Sequence, residues 1–344
     1  MDLHLKGLHH ITAITSDAGK AVRFYTGILG LRLVKKTVNF DDPTAHHLYF
    51  GDEEGKPGTL LTFFDWGTSI NTGRLGAGVT QHLAFTAKDE QSLRKWRKWL
   101  EQNEVPALGP FDRGSFTSIY LRDPDGLIIE IATRGSGKGY DDSTYPESSL
   151  SDWNKRPRSD LSKQIDPGFS SDMQLQGLHH VTALSRESTR SREFYTGLLN
   201  LYDVERARPE KLGEAVQYIY GLEKGAPGTM IGFIEKPEED RGSVGIGTVH
   251  HIAFAVEDQD EQLRWRRKLL SSGIDVTQVL DRKYFRSIYF REPNGLLLEI
   301  ATVPPGFMVD EAKERLGDSL SLPEWLESQR SIIEANLKPI SPAV

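Results

Sequence analysis

An α+β fold of four βαβββ modules, arranged as two tandem pseudo-repeat halves, is predicted by three observations. The first is a duplication: Gly7-Leu-His-His-Ile-Thr-Ala13 recurs as Gly177-Leu-His-His-Val-Thr-Ala183, an offset of about 170 residues. The same offset relates Phe24-Tyr-Thr-Gly27 to Phe194-Tyr-Thr-Gly197 and Pro57-Gly-Thr59 to Pro227-Gly-Thr229. The second is a finer repeat inside each half, since Gln81-His-Leu-Ala-Phe85 matches His250-His-Ile-Ala-Phe254. The third is the shared order of signals within each unit: a strand that opens on histidine, an amphipathic helix, then β-rich runs divided by turn residues. Units are expected at roughly 7–65, 79–133, 177–235 and 248–303.

The first unit opens with a strand from His9 to Ile14. A helix follows, capped by Asp17 and stopped by Gly30, with Val22, Tyr25 and Leu29 at core spacing. Strands are expected near Leu31 to Val38, His47 to Phe50 and Thr59 to Phe64. The second unit starts at Thr80, has a helix over Glu90 to Gln102, and ends in strands at Phe116 to Leu121 and Leu127 to Ala132. In the fourth unit Glu292-Pro-Asn-Gly295 is a turn between β-rich runs, and a hairpin centred on Asn294 sets Tyr289 across from Glu299. A two-residue period sends Val249, His251 and Ala253 to one face of their strand and His250, Ile252 and Phe254 to the other.

These boundaries divide the chain into 1–135, a linker at 136–174, a second pair of modules at 175–305 and a helical extension at 306–344. The linker is rich in Gly, Ser, Asp and Pro, and its Trp153 is expected to dock on the surface. In the extension, helices are expected at Val309 to Leu316 and Pro323 to Leu337, with Trp325, Ile332 and Ile333 as the apolar stripe.

Composition narrows the chemistry. With 38% apolar and 26% charged residues the chain reads as globular, and no apolar run approaches the ~18–20 residues that span a bilayer. The N-terminus lacks a signal-peptide apolar stretch, so a cytoplasmic location is expected. A net charge of -7, with basic residues scattered along helices such as Arg94-Lys-Trp-Arg-Lys98, argues against a nucleic-acid partner. There is no cysteine, which removes disulfides, thiolate metal sites and cysteine nucleophiles together. Any metal therefore rests on histidine and carboxylate.

Of ten histidines, His10, His82, His180, His251 and the neighbouring His250 fall at the openings of the four units. Glu130 and Glu299 sit inside the apolar strands that close units two and four, where an ionised carboxylate is costly without a cation. Units one and three carry no acid at that position. Pairing an odd unit with an even one thus yields two imidazoles and one carboxylate with open positions, the facial triad of non-haem Fe(II) oxygenases; a three-ligand zinc site is the competing reading.

The Leu-His-His-Ile-Thr opening, the His46-His-Leu-Tyr-Phe-Gly-Asp52 strand, Val-His-His-Ile-Ala-Phe and the terminal Leu-Glu-Ile-Ala-Thr resemble the vicinal oxygen chelate superfamily of glyoxalases, extradiol dioxygenases and bleomycin-resistance proteins. Within it the chain is most like hydroquinone-type ring-cleaving dioxygenases, over about residues 5–303. The resemblance implies two half-open mixed β-barrels, with unit one joined to unit four and unit three to unit two. It implies a mononuclear Fe(II) centre, or Mn(II), on His10, His251 and Glu299, with dioxygen as co-substrate and a small aromatic diol as substrate. It further implies catalytic roles for His47, Tyr289, Arg282 and His250, with His47 as acid and base, and substrate contacts from His9 and Thr12. Phe64, Trp66 and Phe285 are candidates for the pocket wall.

The other pairing keeps His82, His180 and Glu130, with Arg113 and Tyr120. It has Gln217 where unit one has His47 and Gln81 where unit four has His250, and is read as a relic of the duplication. Two rival functions stand beside the dioxygenase: a glyoxalase-like lyase or isomerase on zinc or nickel, which needs a further carboxylate or glutamine ligand, and a non-catalytic binding protein of the bleomycin-resistance kind. Exposed edge strands and the C-terminal helices permit a homodimer without requiring it.

Overall fold

In the computed structural model the described residues are 3–340 apart from 113–115, 135–156, 162–163, 166–167, 188, 208–215 and 223. Sixteen strands among them form two eight-stranded mixed sheets. The first sheet takes β1 (Leu8–Thr15), β2 (Arg32–Asn39), β3 (Asp42–Gly51) and β4 (Leu60–Asp65) from the start of the chain. It completes itself with β13 (Val249–Val256), β14 (Leu280–Asp281), β15 (Arg286–Arg291) and β16 (Leu297–Thr302), in the order β14-β15-β16-β13-β1-β4-β3-β2.

The second sheet is built from β5 (Thr80–Thr86), β6 (Ala107–Asp112), β7 (Phe116–Arg122), β8 (Ile128–Arg134), β9 (Leu178–Ser185), β10 (Tyr202–Ala207), β11 (Val216–Gly221) and β12 (Met230–Glu235). Its order is β10-β11-β12-β9-β5-β8-β7-β6. Unit one is therefore joined to unit four and unit three to unit two, as the resemblance implied. Both seams are antiparallel, β1 on β13 and β5 on β9.

Alternation along the central strands separates core from site. Ile252 and Phe254 of β13 and Leu298 and Ile300 of β16 enter the main apolar cluster with Trp96 and Trp265. Ala253 and Ala301 turn instead to a smaller cluster with Tyr49, Tyr284, Phe285 and Phe307. The helices Glu90–Gln102 and Gln259–Ser271 bury Trp96 and Trp265; each starts on an aspartate cap, Asp89 accepting from Ser92 N at 2.7 Å and Asp258 from Glu261 N at 2.9 Å.

Strict alternation fails at the histidines, and the reason is a pair of β-bulges on each seam. The register steps from Leu8↔Phe254 to His10↔Ala253, which leaves His9 extra, and from Thr12↔His251 to Ala13↔Val249, which leaves His250 extra. Gln81 and His179 are the extra residues of the second seam. The two imidazoles of each pair thus do not occupy the separate environments that a two-residue period predicts: His9 and His10 meet at 2.9 Å between Nδ1 atoms, and His250 and His251 at 2.8 Å.

The duplicated Pro-Gly-Thr turns lock the two sheets together. Leu8 N donates to Gly228 O and Leu178 N to Gly58 O, each at 2.7 Å. A Cβ on Gly7 would stand 2.7 Å from Gly228 O, and one on Gly177 the same distance from Gly58 O, so both crossings need glycine.

Three local expectations are corrected. The helix after Asp17 is α-helical only over Ala18–Val22 and widens into a π-type turn over Arg23–Ile28. The expected helix at Val309 to Leu316 is instead two short 3₁₀ turns, Phe307–Val309 and Lys313–Arg315, and the last helix is split into Glu324–Glu327 and Arg330–Asn336. Leu326 and Ile333 are its buried side chains, while Trp325 and Ile332 are exposed, Trp325 resting edge-on against Phe40. Trp153 and most of the linker lie outside the described residues.

The extension is fastened to the edge strand β2. Lys35, fully buried, pairs with Asp310 at 2.7 Å and with Glu311, while Ser321 N donates to Lys36 O and His46 Nε2 to Lys338 O. No helix among the described residues is long and apolar enough to cross a membrane.

Candidate metal centre and its cavity

His10 reaches the site from β1, His251 from β13 and Glu299 from β16. His10 Nε2 lies 3.3 Å from His251 Nε2, and Glu299 Oε2 is 3.3 Å from the first and 3.0 Å from the second. All three side chains are buried. Ser287 donates to Glu299 Oε1, whereas Oε2 has no hydrogen-bond partner. Burial alone pushes the Glu299 carboxyl up, but the imidazoles of His10 and His251 outweigh it and hold the acid well below its usual range. Two nitrogens and one orphaned, ionised oxygen converging in a dry site are the donors a divalent first-row metal takes, so the residues fit such an ion.

The bulged histidines set the tautomers. Burial, then the neighbouring His10, lowers His9 to about 3, and burial, then His251, lowers His250 to about 3, so both stay neutral. A ligand imidazole that turns its Nε2 lone pair to the metal carries its proton on Nδ1, and donates it to the Nδ1 of the histidine beside it. His9 and His250 therefore orient the ligands from behind.

A cavity opens on the other side of the triad, lined by His10, Asn39, Phe40, His47, Tyr49, Phe64, His251, Arg282, Phe285 and Tyr289. It is narrow, about 20 Å³. Its floor is aromatic and its rim charged: Arg282 donates to Asp41 at 2.8 Å across the mouth and lies 5.4 Å from the centre of the Tyr289 ring. Tyr289 pairs across the hairpin with Glu299, as the turn at Asn294 predicts, and its ring meets that of His251 edge-on at 5.5 Å.

Inside the cavity His47 heads a chain of groups that can pass a proton. Its Nδ1 is 3.0 Å from the Tyr49 hydroxyl, its Nε2 is 2.9 Å from Thr62 Oγ1, and Thr62 Oγ1 is 2.8 Å from Thr12 Oγ1. Burial, followed by the charges of His10 and His251, pushes His47 well below the usual imidazole range.

The structure thus brings His10, His251, Glu299, His47, Arg282 and Tyr289 to one cavity, with Phe64 and Phe285 in its wall. His9, Thr12 and His250 are not among its walls: His9 and His250 back the ligands, and Thr12 ends the hydroxyl chain. Trp66 packs on Phe64 at 4.9 Å and donates to Asp42, one layer out. Sequence reasoning missed Tyr49, Thr62 and Ser287. Aligning the units would have found two of them, since Ser287 matches Ser118 and Thr62 holds the place of Glu130 and Glu299.

The chain belongs to the Glyoxalase/Bleomycin resistance protein/Dioxygenase superfamily, whose sequence profile matches residues 7–131 and 177–300. Within it the chain is similar along nearly its whole length to proteins named for ring cleavage. It is 37% identical to MhqO of Bacillus subtilis, named as a ring-cleaving dioxygenase, over 97% of this chain and 96% of that one. It is 32% identical to the chlorohydroquinone/hydroquinone 1,2-dioxygenase of Sphingobium indicum, covering 94% and 93%. A crystal structure of a Bacillus subtilis protein described as a dioxygenase superposes with a TM-score of 0.80 at 36% identity over 99% of both chains. Glyoxalase I from Zea mays shares the fold at 15% identity, with a TM-score of 0.59 over 86% of this chain and 92% of that one.

Proposed function

We propose that the protein is a ring-cleaving dioxygenase acting on a hydroquinone- or catechol-type diol, with Fe(II) held by His10, His251 and Glu299. The observation that carries this reading is one cavity that joins an open two-histidine, one-carboxylate triad to a buried histidine relay. When bound, the metal would supply the redox chemistry that couples diol and dioxygen and would orient both. The chain does the rest. A diol hydroxyl passes its proton to the Tyr49 hydroxyl as that hydroxyl gives its own to His47 Nδ1, and one returns to the opening ring by the same route, with Thr62 holding Nε2 in line. Tyr289 offers a hydroxyl beside the metal, kept protonated because burial, then the charge of Glu299, raises its pKa. Arg282 stays charged and faces the phenolate, and Phe64, Phe285 and Phe40 exclude water around the ring.

The geometry favours this reading over the lyase. A fourth protein ligand would have to come from β4, at the place of Glu130 and Glu299; that place is Thr62, already bonded to His47 and Thr12. The test is oxygen uptake after anaerobic loading with Fe(II), using methylhydroquinone and catechol as substrates. Uptake with either supports the reading, and uptake with neither, alongside isomerisation of a methylglyoxal–thiol adduct, overturns it.

A further inference from the structure

The second sheet holds a second convergence of ligands that the ring-cleavage chemistry does not use. His82 Nε2 is 3.2 Å from His180 Nε2, and Glu130 Oε2 is 3.1 Å from each. Glu130 is fully buried and its two oxygens have no hydrogen-bond partner; neither has the buried hydroxyl of Ser118 or that of Thr182. The duplication explains both lone hydroxyls. Ser118 is the counterpart of Ser287, which donates to Glu299, and Thr182 stands across from Gly232 where Thr12 has Thr62 to bond.

The tautomer of His82 sharpens the point. Its Nδ1 lies 3.0 Å from Gln81 Oε1, an oxygen that only accepts, so the proton is on Nδ1 and the Nε2 of a neutral ring turns a lone pair to the triad. His180 is backed in the same way, Nδ1 to Nδ1 at 2.8 Å, by His179. Lone pairs and a carboxylate charge crowded this closely repel unless a cation lies among them. Four unpartnered polar atoms around it are what an ion with bound waters would satisfy.

We propose that His82, His180 and Glu130 form a second divalent transition-metal site, one that binds its ion and leaves the diol alone. Two imidazoles and a carboxylate select a first-row divalent ion with open positions for water. What is missing is the proton machinery. Gln217 replaces His47, Gly232 replaces Thr62 and Ile219 replaces Tyr49, so the His47–Tyr49–Thr62 relay has no counterpart on these strands, although Tyr120, at the place of Tyr289, still meets the His82 ring edge-on at 5.6 Å. The duplication thus kept the ligands in both sheets and the relay in one.

The test is anaerobic Co(II) titration of the full-length apo-protein, followed by calorimetry and by the ligand-field bands of bound Co(II). Two equivalents are expected in the wild type, one in His82→Ala, one in His251→Ala and none in the double variant. Glu130→Gln, which keeps the side chain's shape, guards against misfolding of His82→Ala and should also hold one. Oxygen uptake by Fe(II)-loaded His82→Ala should stay within about twofold of wild type. Saturation of the wild type at one equivalent would overturn the proposal, because a single proton shared by His82, His180 and Glu130 would then suffice. A second equivalent surviving both His82→Ala and Glu130→Gln would overturn it as well, placing that ion elsewhere, and lost uptake in His82→Ala would overturn its non-catalytic character. The stoichiometry needs no turnover, so it stands or falls apart from the diol chemistry.

Discussion

The two sheets offer the same three ligands at nearly the same separations, 3.0–3.3 Å in the first and 3.1–3.2 Å in the second, yet surround them differently. In the first, Ser287 fixes one oxygen of the carboxylate, and His47, Tyr49, Thr62 and Thr12 form a continuous chain. In the second, the serine is unpaired and the chain is interrupted at each place where a strand residue changed. The difference teaches that holding a metal and moving protons are separable properties of this fold: the triad comes from the seam and its closing strand, the relay from β3 and β4.

The comparison breaks most sharply at the ligands. His251→Ala should abolish oxygen uptake while His82→Ala leaves it nearly unchanged, an assay that inverts if the second sheet is the working one. Next comes the relay. His47→Asn should lower kcat by about 10²–10⁴-fold, the usual share of a general acid or base. Its metal content should stay at the wild-type value, and a loss of iron in this variant would make His47 a ligand instead.

Smaller effects separate the sheets by stability. The C-terminal extension fastens β2 and β3 of the first sheet, and Lys35→Ala would leave Asp310 and Glu311 without their buried partner. A loss of about 1.5–3 kcal/mol is expected from denaturant unfolding, the usual worth of a hydrogen bond to a charged group, because Asp310 keeps Lys283 and Tyr284 and Glu311 keeps Ser319. Acids at equivalent turns give a pH signature. Burial raises Asp123 and Glu292 each to about 7. Their contribution to stability is present below the ordinary carboxyl range and is lost as pH rises through about 7, because the unfolded chain ionises first. Glu292→Gln should remove roughly half of that slope, seen as a flatter melting temperature between pH 5 and 8. Least of all, Asp41→Asn frees Arg282 at the rim, and an exposed pair of this kind should change KM by about twofold with kcat intact.

Much of this was legible because duplication writes structure into sequence. Four histidine openings and two buried glutamates announced the modules and the kinds of donor, the family resemblance supplied which units pair, and the Asn294 turn set Tyr289 opposite Glu299. The bulges were not legible, since an extra residue in a strand leaves no mark in a hydrophobic pattern and shows only in the pairing. Nor was the relay: Tyr49 and Thr62 look like ordinary strand residues until β3 and β4 bring them to His47. The extension misled because helix-forming residues in 309–316 serve as tethers, Asp310 and Glu311 turning to Lys35 rather than to a helical turn.

The crossed pairing of the strands has a consequence for how the protein comes into being. Ligands of the second sheet are drawn from residues 82 to 180, a span of 98 between its histidines, while those of the first wait for a partner 241 positions away. Closing the shorter loop costs less chain entropy, so the second sheet is expected to assemble before the first is completed. The oxygen-handling centre would then be among the last parts of the molecule to exist, completed only when Glu299 has left the ribosome.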